Sequence, residues 1–262
     1  MPQLIDTLYP RRCPTTGRTC LLCPEQARLI VCLPAHVARD QQRLPCDLIA
    51  ALQPHVAAPT GVLHGGHFPL WHQPDDTETA LLLLANADPD VPELTWCAGG
   101  PVGLLDLDAT AAHLHRVVAD DPTNWHRVVA GTPPALAWWH YLDTHRADPH
   151  SYPLTDAVAD FAAQPRIAAM AGAPGSPYSG DMYGPGLEAL STGAEDYADY
   201  QAGLLTLGDG LISLDGQLLV PALRPTLVEQ TLPERQLYHQ RARRYIEALD
   251  PTVVLAAVRC FR

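Results

Sequence analysis

Lysine is absent: all 17 basic residues of this 262-residue chain are arginine. Asparagine occurs twice and phenylalanine three times, whereas proline occurs 26 times. That combination follows from GC-rich codons, which favour Arg, Ala, Pro, Leu and Asp, so the expected source is a GC-rich bacterium or its phage. The chemical consequence is subtractive. A Schiff-base lysine, a phosphate-loop lysine and a lysine general base are excluded, together with the mechanisms built on them.

Long apolar runs are missing too. The longest aliphatic stretch, around Ala80 to Ala85, falls far short of the ~18 residues that mark a membrane-spanning helix. The opening Met1-Pro-Gln-Leu-Ile-Asp has neither the positive nor the apolar region of a secretion signal. Seven cysteines is an odd number and their spacing is uneven, which argues against a secreted disulfide framework. The expected location is the cytoplasm, with no membrane partner.

Positive charge is scarce in the middle of the chain. Residues 61–221 hold four arginines against 21 acids, a net of −17. Residues 1–60 hold six arginines against four acids, and 222–262 hold seven against four. An acidic field of this size repels phosphate backbones and disfavours general nucleic-acid binding, leaving it only the Arg-bearing ends. With 47% apolar and 18% charged residues the composition is that of a folded chain. At this length roughly three quarters of the unfolded surface is buried on folding, so no disulfide scaffold is needed.

Turn residues and hydrophobic periods predict an α+β fold, with a Cys-rich module over 1–60 and a main α+β domain over 61–262. Cys23-Pro24-Glu25 predicts a helix running to about Leu33 with Pro24 in its first turn, and Asp47 the N-cap of a second. From about Gly61 to Asp108 come short β-type runs: Gly61–His64, Ala80–Ala85, Leu94–Cys97 and Val102–Asp108. Tight, turn-rich connections between them predict an antiparallel meander over about 61–108. Helices are expected over 109–119, 133–146 and 156–163, then a long Gly/Pro loop over 172–187. The runs at Leu204–Leu207, Leu211–Leu214 and Gln217–Val220, cut by Gly208-Asp-Gly and Asp215-Gly216, predict a second meander over about 204–220. Pro233 opens a helix to about Leu249 in which Tyr238, Ala242, Tyr245 and Leu249 share a face. A strand over 252–258 follows.

The densest chemistry lies early. Cys13, Cys20, Cys23, Cys32 and Cys46 fall within 46 residues, with His36 among them. Tetrahedral zinc takes four thiolate or imidazole ligands, and the Cys20-x2-Cys23 turn supplies two from one loop. Cys13 is a third, and Cys32, His36 and Cys46 compete for the fourth place. A zinc ion there would hold together a loop-rich segment with little core of its own; the plainer alternative makes Cys32 and Cys46 small core residues. His64, His67 and His72 put three imidazoles within nine residues around Gly65-Gly66. They are candidate ligands of a catalytic metal if a turn separates His64 from His67. Asp106 and Asp108, two apart on an expected strand, would project from one face as divalent-cation sites require, or else Asp108 caps the next helix. Cys97 beside Gly99-Gly100 is a candidate nucleophile, and Tyr178, Asp181 and Tyr183 sit in the expected 172–187 lid.

The leading expectation is a non-catalytic accessory or protein-interaction protein with a structural zinc site and another protein as partner. The competing one is a metal-dependent hydrolase or transferase using His64, His67, His72, Asp106 and Asp108. A third is a nucleic-acid-associated protein that binds through its Arg-bearing ends. Elemental analysis of the purified chain separates the first two. A tightly held zinc lost in Cys20→Ser and kept in His67→Ala is the expected outcome; metal that follows His67 or Asp106 instead would move the protein to the catalytic class.

Overall fold

In the computed structural model, which describes residues 26–40, 42–55, 61–63, 68–70, 75–83, 86–87, 95–119, 122–172, 185–221 and 229–261, the strand β1 (Gln26–Leu33) runs through the middle of a six-stranded sheet. Its sequence Leu29-Ile-Val-Cys-Leu33 is apolar without alternation, as expected of a strand covered on both faces. The expected helix over 23–33 is therefore corrected to a strand from Gln26. A short continuous apolar run fits a buried helix and a buried strand equally well, and here the strand wins.

The sheet order is β2-β9-β1-β7-β8, where β2 is Gly61–Leu63, β7 Gly210–Ile212, β8 Leu218–Leu219 and β9 Val254–Phe261. β1 pairs antiparallel with β9 over its full length and parallel with β7. A further short strand, β6 (Gly99–Pro101), shares the outer edge of β9 with β2: β2 lies opposite 258–260 and β6 opposite 254–256. A separate three-stranded antiparallel sheet joins β3 (Phe68–Leu70), β5 (Thr95–Cys97) and β4 (Asn86–Ala87). The α+β class is as expected.

Alternation along β1 and β9 sends side chains to two different layers. On one face Leu29, Val31, Leu33, Val254, Ala256 and Val258 pack against α1 (His36–Arg39) and α2 (Leu44–Leu52) through Val37, Leu44, Leu48 and Leu52. On the other, Ile30, Cys32, Leu255 and Ala257 meet Tyr238, Ala242 and Ile246 of α11 (Leu232–Glu247). The expected boundary at residue 60 thus cuts one sheet: β1 and α2 share their core with strands from beyond it. A helical layer completes the fold. It comprises α4 (Leu107–Ala119), α5 (Pro122–Val129), α6 (Trp138–Ala147), α7 (Leu154–Ala163), α8 (Pro165–Ala171), α9 (Pro185–Thr192) and α10 (Ala194–Leu207). The short α3 (Asp76–Thr79) is capped by Asp75 in a capping box with Glu78. Among the described residues no helix is long and apolar enough to cross a membrane.

Both expected meanders shrink. In the first, residues 76–79 are helical, Leu83 makes only an isolated bridge to Gly99, and Val102–Leu104 is a single 3-10 turn leading into α4. In the second, Leu204–Leu207 is the last turn of α10, leaving the hairpin β7–β8. The Thr206 hydroxyl donates to the Ala202 carbonyl at 2.6 Å, the back-bonding open to threonine inside a helix. Asp47 lies in the first turn of α2, not at its cap, because Pro45 already starts the helix from Leu44. The expected helix over 233–249 does form as α11. Thr231 caps it, with the Glu234 carboxylate accepting the Thr231 N–H at 2.9 Å in a capping box.

Two buried carboxylates tie these layers together. Glu188 on α9 accepts the Leu232 N–H at 3.0 Å and the Trp138 N–H, the first helical residues of α11 and α6. Burial pushes its carboxyl up; the two backbone donors hold it down. Asp209, between α10 and β7, pairs with Arg235 of α11 at 3.2 Å and also accepts the Arg28 N–H of β1 at 2.9 Å. Arg235 is 2% exposed. Asp209→Ala strands that guanidinium in the interior, so a loss of about 3–5 kcal/mol is expected in denaturant melts. Adding Arg235→Met should recover most of it, and a single-variant loss below about 1 kcal/mol would refute the pair's role.

Candidate functional site

Those predicted site residues that the structure describes do not converge on one place. Cys13, Cys20, Cys23, His64, His67, His72, Tyr178, Asp181 and Tyr183 lie outside the described residues. Cys32 faces α11 in the core, where burial pushes its thiol up to about 12. His36 and Cys46 are exposed on the opposite side of the sheet, with His36 Nε2 3.8 Å from Asp47. A site built from His36 and Cys46 therefore has no access to Cys32. Cys97 is fully buried, and burial pushes its thiol up to about 11, against the reactive thiolate a nucleophile needs. Among the described residues no group of three or more His, Cys, Asp or Glu side chains is arranged to hold a metal ion.

Asp106 and Asp108 are not neighbours on a strand face. Asp106 starts α4: its Oδ1 accepts the Ala109 N–H at 2.8 Å and its carbonyl accepts the Thr110 hydroxyl at 2.8 Å. Asp108 sits in the first helical turn, where negative charge favours the helix dipole, and pairs with Arg243 of α11. The cap expected at Asp108 is two residues earlier. At the start of α6, Trp138 is core beside Phe161 and Trp139 is half exposed.

What these two aspartates border is a groove. It encloses about 910 Å³ between α4, α10 and α11, and the 249–251 turn closes one end. Its floor is built from α10: Ala202, Gly203, Thr206 and Leu207 present small or buried side chains, with Ile246 beside them. Its rims are polar. On α4 stand Asp106, Asp108 and His115, and on α11 Gln236, Gln240, Arg243 and Glu247. His115 Nε2 lies 3.6 Å from Asp199 of α10, and Arg243 holds both Asp108 across the groove and Glu247 on its own helix, the latter at 2.9 Å.

His239 lies on the α11 wall, 8% exposed. It fits because α10 has glycine opposite: a Cβ on Gly203 would lie 2.1 Å from His239 Nδ1. The ring packs near Tyr200 and Tyr238, at centroid distances of 6.5 and 5.3 Å. Its Nε2 is buried and has no hydrogen-bond partner among the described residues. Burial first, then the positive charge of Arg235, pull this imidazole down to about 3. The groove thus has a neutral histidine in its wall at physiological pH.

No protein-family model, no curated protein and no solved structure matches this chain.

The histidine has a pH signature. Below the ordinary value of 6.5 the unfolded chain takes up a proton that folded His239 refuses until about pH 3, so folding stability falls as pH falls through that window. His239→Gln removes this component. Between pH 6 and 4 the wild type should lose up to about 1.4 kcal/mol per pH unit more than the variant. Parallel stability curves for the two proteins would contradict a neutral buried imidazole.

Proposed function

We propose that this chain is a non-catalytic interaction protein that holds a segment of a partner protein in the groove between α4, α10 and α11. The observation that carries this reading is the groove itself: a long, open depression with a small-residue floor and charged rims supplied by three different helices. Helix-lined grooves of this kind receive peptide segments, whose apolar side chains meet the floor while polar groups meet the rim. The ionisable groups around it suit recognition. Asp106 caps α4, Asp108 and Glu247 hold Arg243, and Asp199 faces His115, so each already has an internal partner, which supports a role in recognition.

In the same reading, the N-terminal cysteines hold a structural zinc. Cys13, Cys20 and Cys23 supply three thiolates, and His36 or Cys46 the fourth ligand, both standing at the surface on the α1–α2 side. Three soft sulfur donors with a fourth sulfur or imidazole suit zinc.

Filling the groove tests the proposal. Ala112 is exposed on α4 and borders the groove, so Ala112→Trp places an indole in the opening while leaving the core intact. Peptides selected from a random library on the wild-type chain should lose at least about tenfold in affinity on this variant, with its melting temperature unchanged. Selected peptides that bind Ala112→Trp as tightly as wild type would overturn the proposal, as would failure to select any.

A further inference from the structure

From the charge and the internal contacts of this groove we infer that the partner segment it holds is cationic and bears arginine. The inference rests on the groove being a peptide site, as proposed above, and adds what the peptide must carry.

Among the described residues four carboxylates border the groove, Asp106, Asp108, Asp199 and Glu247, against a single arginine, Arg243. They stand within the acidic stretch or face it: residues 61–221 carry a net charge of −17. A concave acidic surface attracts and orients a positively charged partner and rejects an acidic one. The second observation is independent of net charge. Arg243 reaches out from α11 to Asp108 on α4 while its Nε donates to Glu247 at 2.9 Å. The rim therefore already binds a guanidinium, presented by the chain itself, between carboxylates from two different helices. Planar guanidinium and carboxylate are matched in shape as well as in charge. All three side chains are largely exposed, at 51%, 80% and 58%, and an exposed ion pair adds little to stability.

Arg243 is thus a placeholder. An arginine of the incoming segment can take its carboxylates at small cost, while the segment's apolar side chains cover the floor. Lysine is a poorer fit, because its point charge does not match two carboxylates side by side.

The test uses a short amphipathic peptide with arginine on one face and leucine on the other, and counterparts with glutamine or glutamate in place of arginine. Binding to the full chain is measured by fluorescence anisotropy. The arginine peptide should bind at least about tenfold more tightly than the glutamine one, and the glutamate one should not bind. Arg243→Gln, which frees Asp108 and Glu247, should tighten the arginine peptide by about three- to tenfold. Asp199→Asn combined with Glu247→Gln should weaken it by a similar factor, and raised salt should weaken it further. Equal affinity for the arginine and glutamine peptides, lost in Ala112→Trp, overturns the cationic requirement and leaves the groove a peptide site. Weaker binding to Arg243→Gln overturns the placeholder role. Binding of the arginine peptide that Ala112→Trp does not diminish overturns both readings, and so does a failure of all three peptides to bind.

Discussion

One carboxylate, Asp209, fixes the relation of the sheet to the helix that covers it. Its Oδ1 meets Arg235 in the interior and its Oδ2 accepts the Arg28 N–H, while its own N–H donates to the Arg28 carbonyl at 2.7 Å. The last two bonds set the parallel register of β1 against β7; the first sets α11 above both. Gly208 makes the approach feasible. It adopts a φ of +67°, and a Cβ there would lie 2.6 Å from the Arg28 carbonyl oxygen. Arg235 also donates to Gln230 Oε1 at 2.7 Å, and Tyr238, one turn on, donates its hydroxyl to the Leu207 carbonyl at 2.6 Å. A buried charge pair is no better for stability than well-packed apolar groups, but its directionality rejects alternative packings. Here those directed contacts hold α11, and with it one wall of the groove, at a defined position against β1 and α10.

The groove inherits its character from that placement. With one face of α11 committed to the core through Tyr238, Ala242 and Ile246, its next face, with Gln236, Gln240, Arg243 and Glu247, borders the opening. α10 adds no bulk where it faces His239, since position 203 is glycine. The opening is therefore a consequence of packing one helix with a long polar face against another that has a gap in its side chains. Glu188 anchors the far end of this arrangement by accepting the N–H groups that begin α11 and α6. The helix that forms a groove wall is thus held at its first turn by a carboxylate from α9.

Much of this was readable in the residues, and the failures have physical reasons. The α+β class, α11 with its apolar face, and the strand before residue 258 follow from periodicity and turn chemistry. β1 does not, because a run apolar on every side has no period to reveal which structure it takes. The last turn of α10 reads as a strand for a related reason: Leu204-Leu-Thr-Leu followed by Gly208 is β-like locally, and only the preceding helix overrides it. The groove was half visible. Residues 236, 239, 240, 243 and 247 form a polar stripe on a helix that Pro233 and the apolar period predict. The glycine that turns the stripe into a wall lies on α10, whose existence the local pattern conceals. Asp106 and Asp108 were recognised as a significant pair, but for a strand geometry that the start of α4 replaces.

The strand order has a consequence for how the molecule is made. β1 is synthesised well before its partners β7 and β9, which are residues 210–212 and 254–261; the Arg28 to Asp209 contact spans 181 positions. On the ribosome, β1 must wait for one partner until residue 212 has been translated and for the other until residue 261. Closing so long a loop is entropically slow, and an unpaired apolar strand is sticky while it waits. The helices from α4 to α10 pack largely on one another and are all translated before β9, so their contacts do not depend on it. In this molecule the centre of the sheet cannot be completed before β9 has been made.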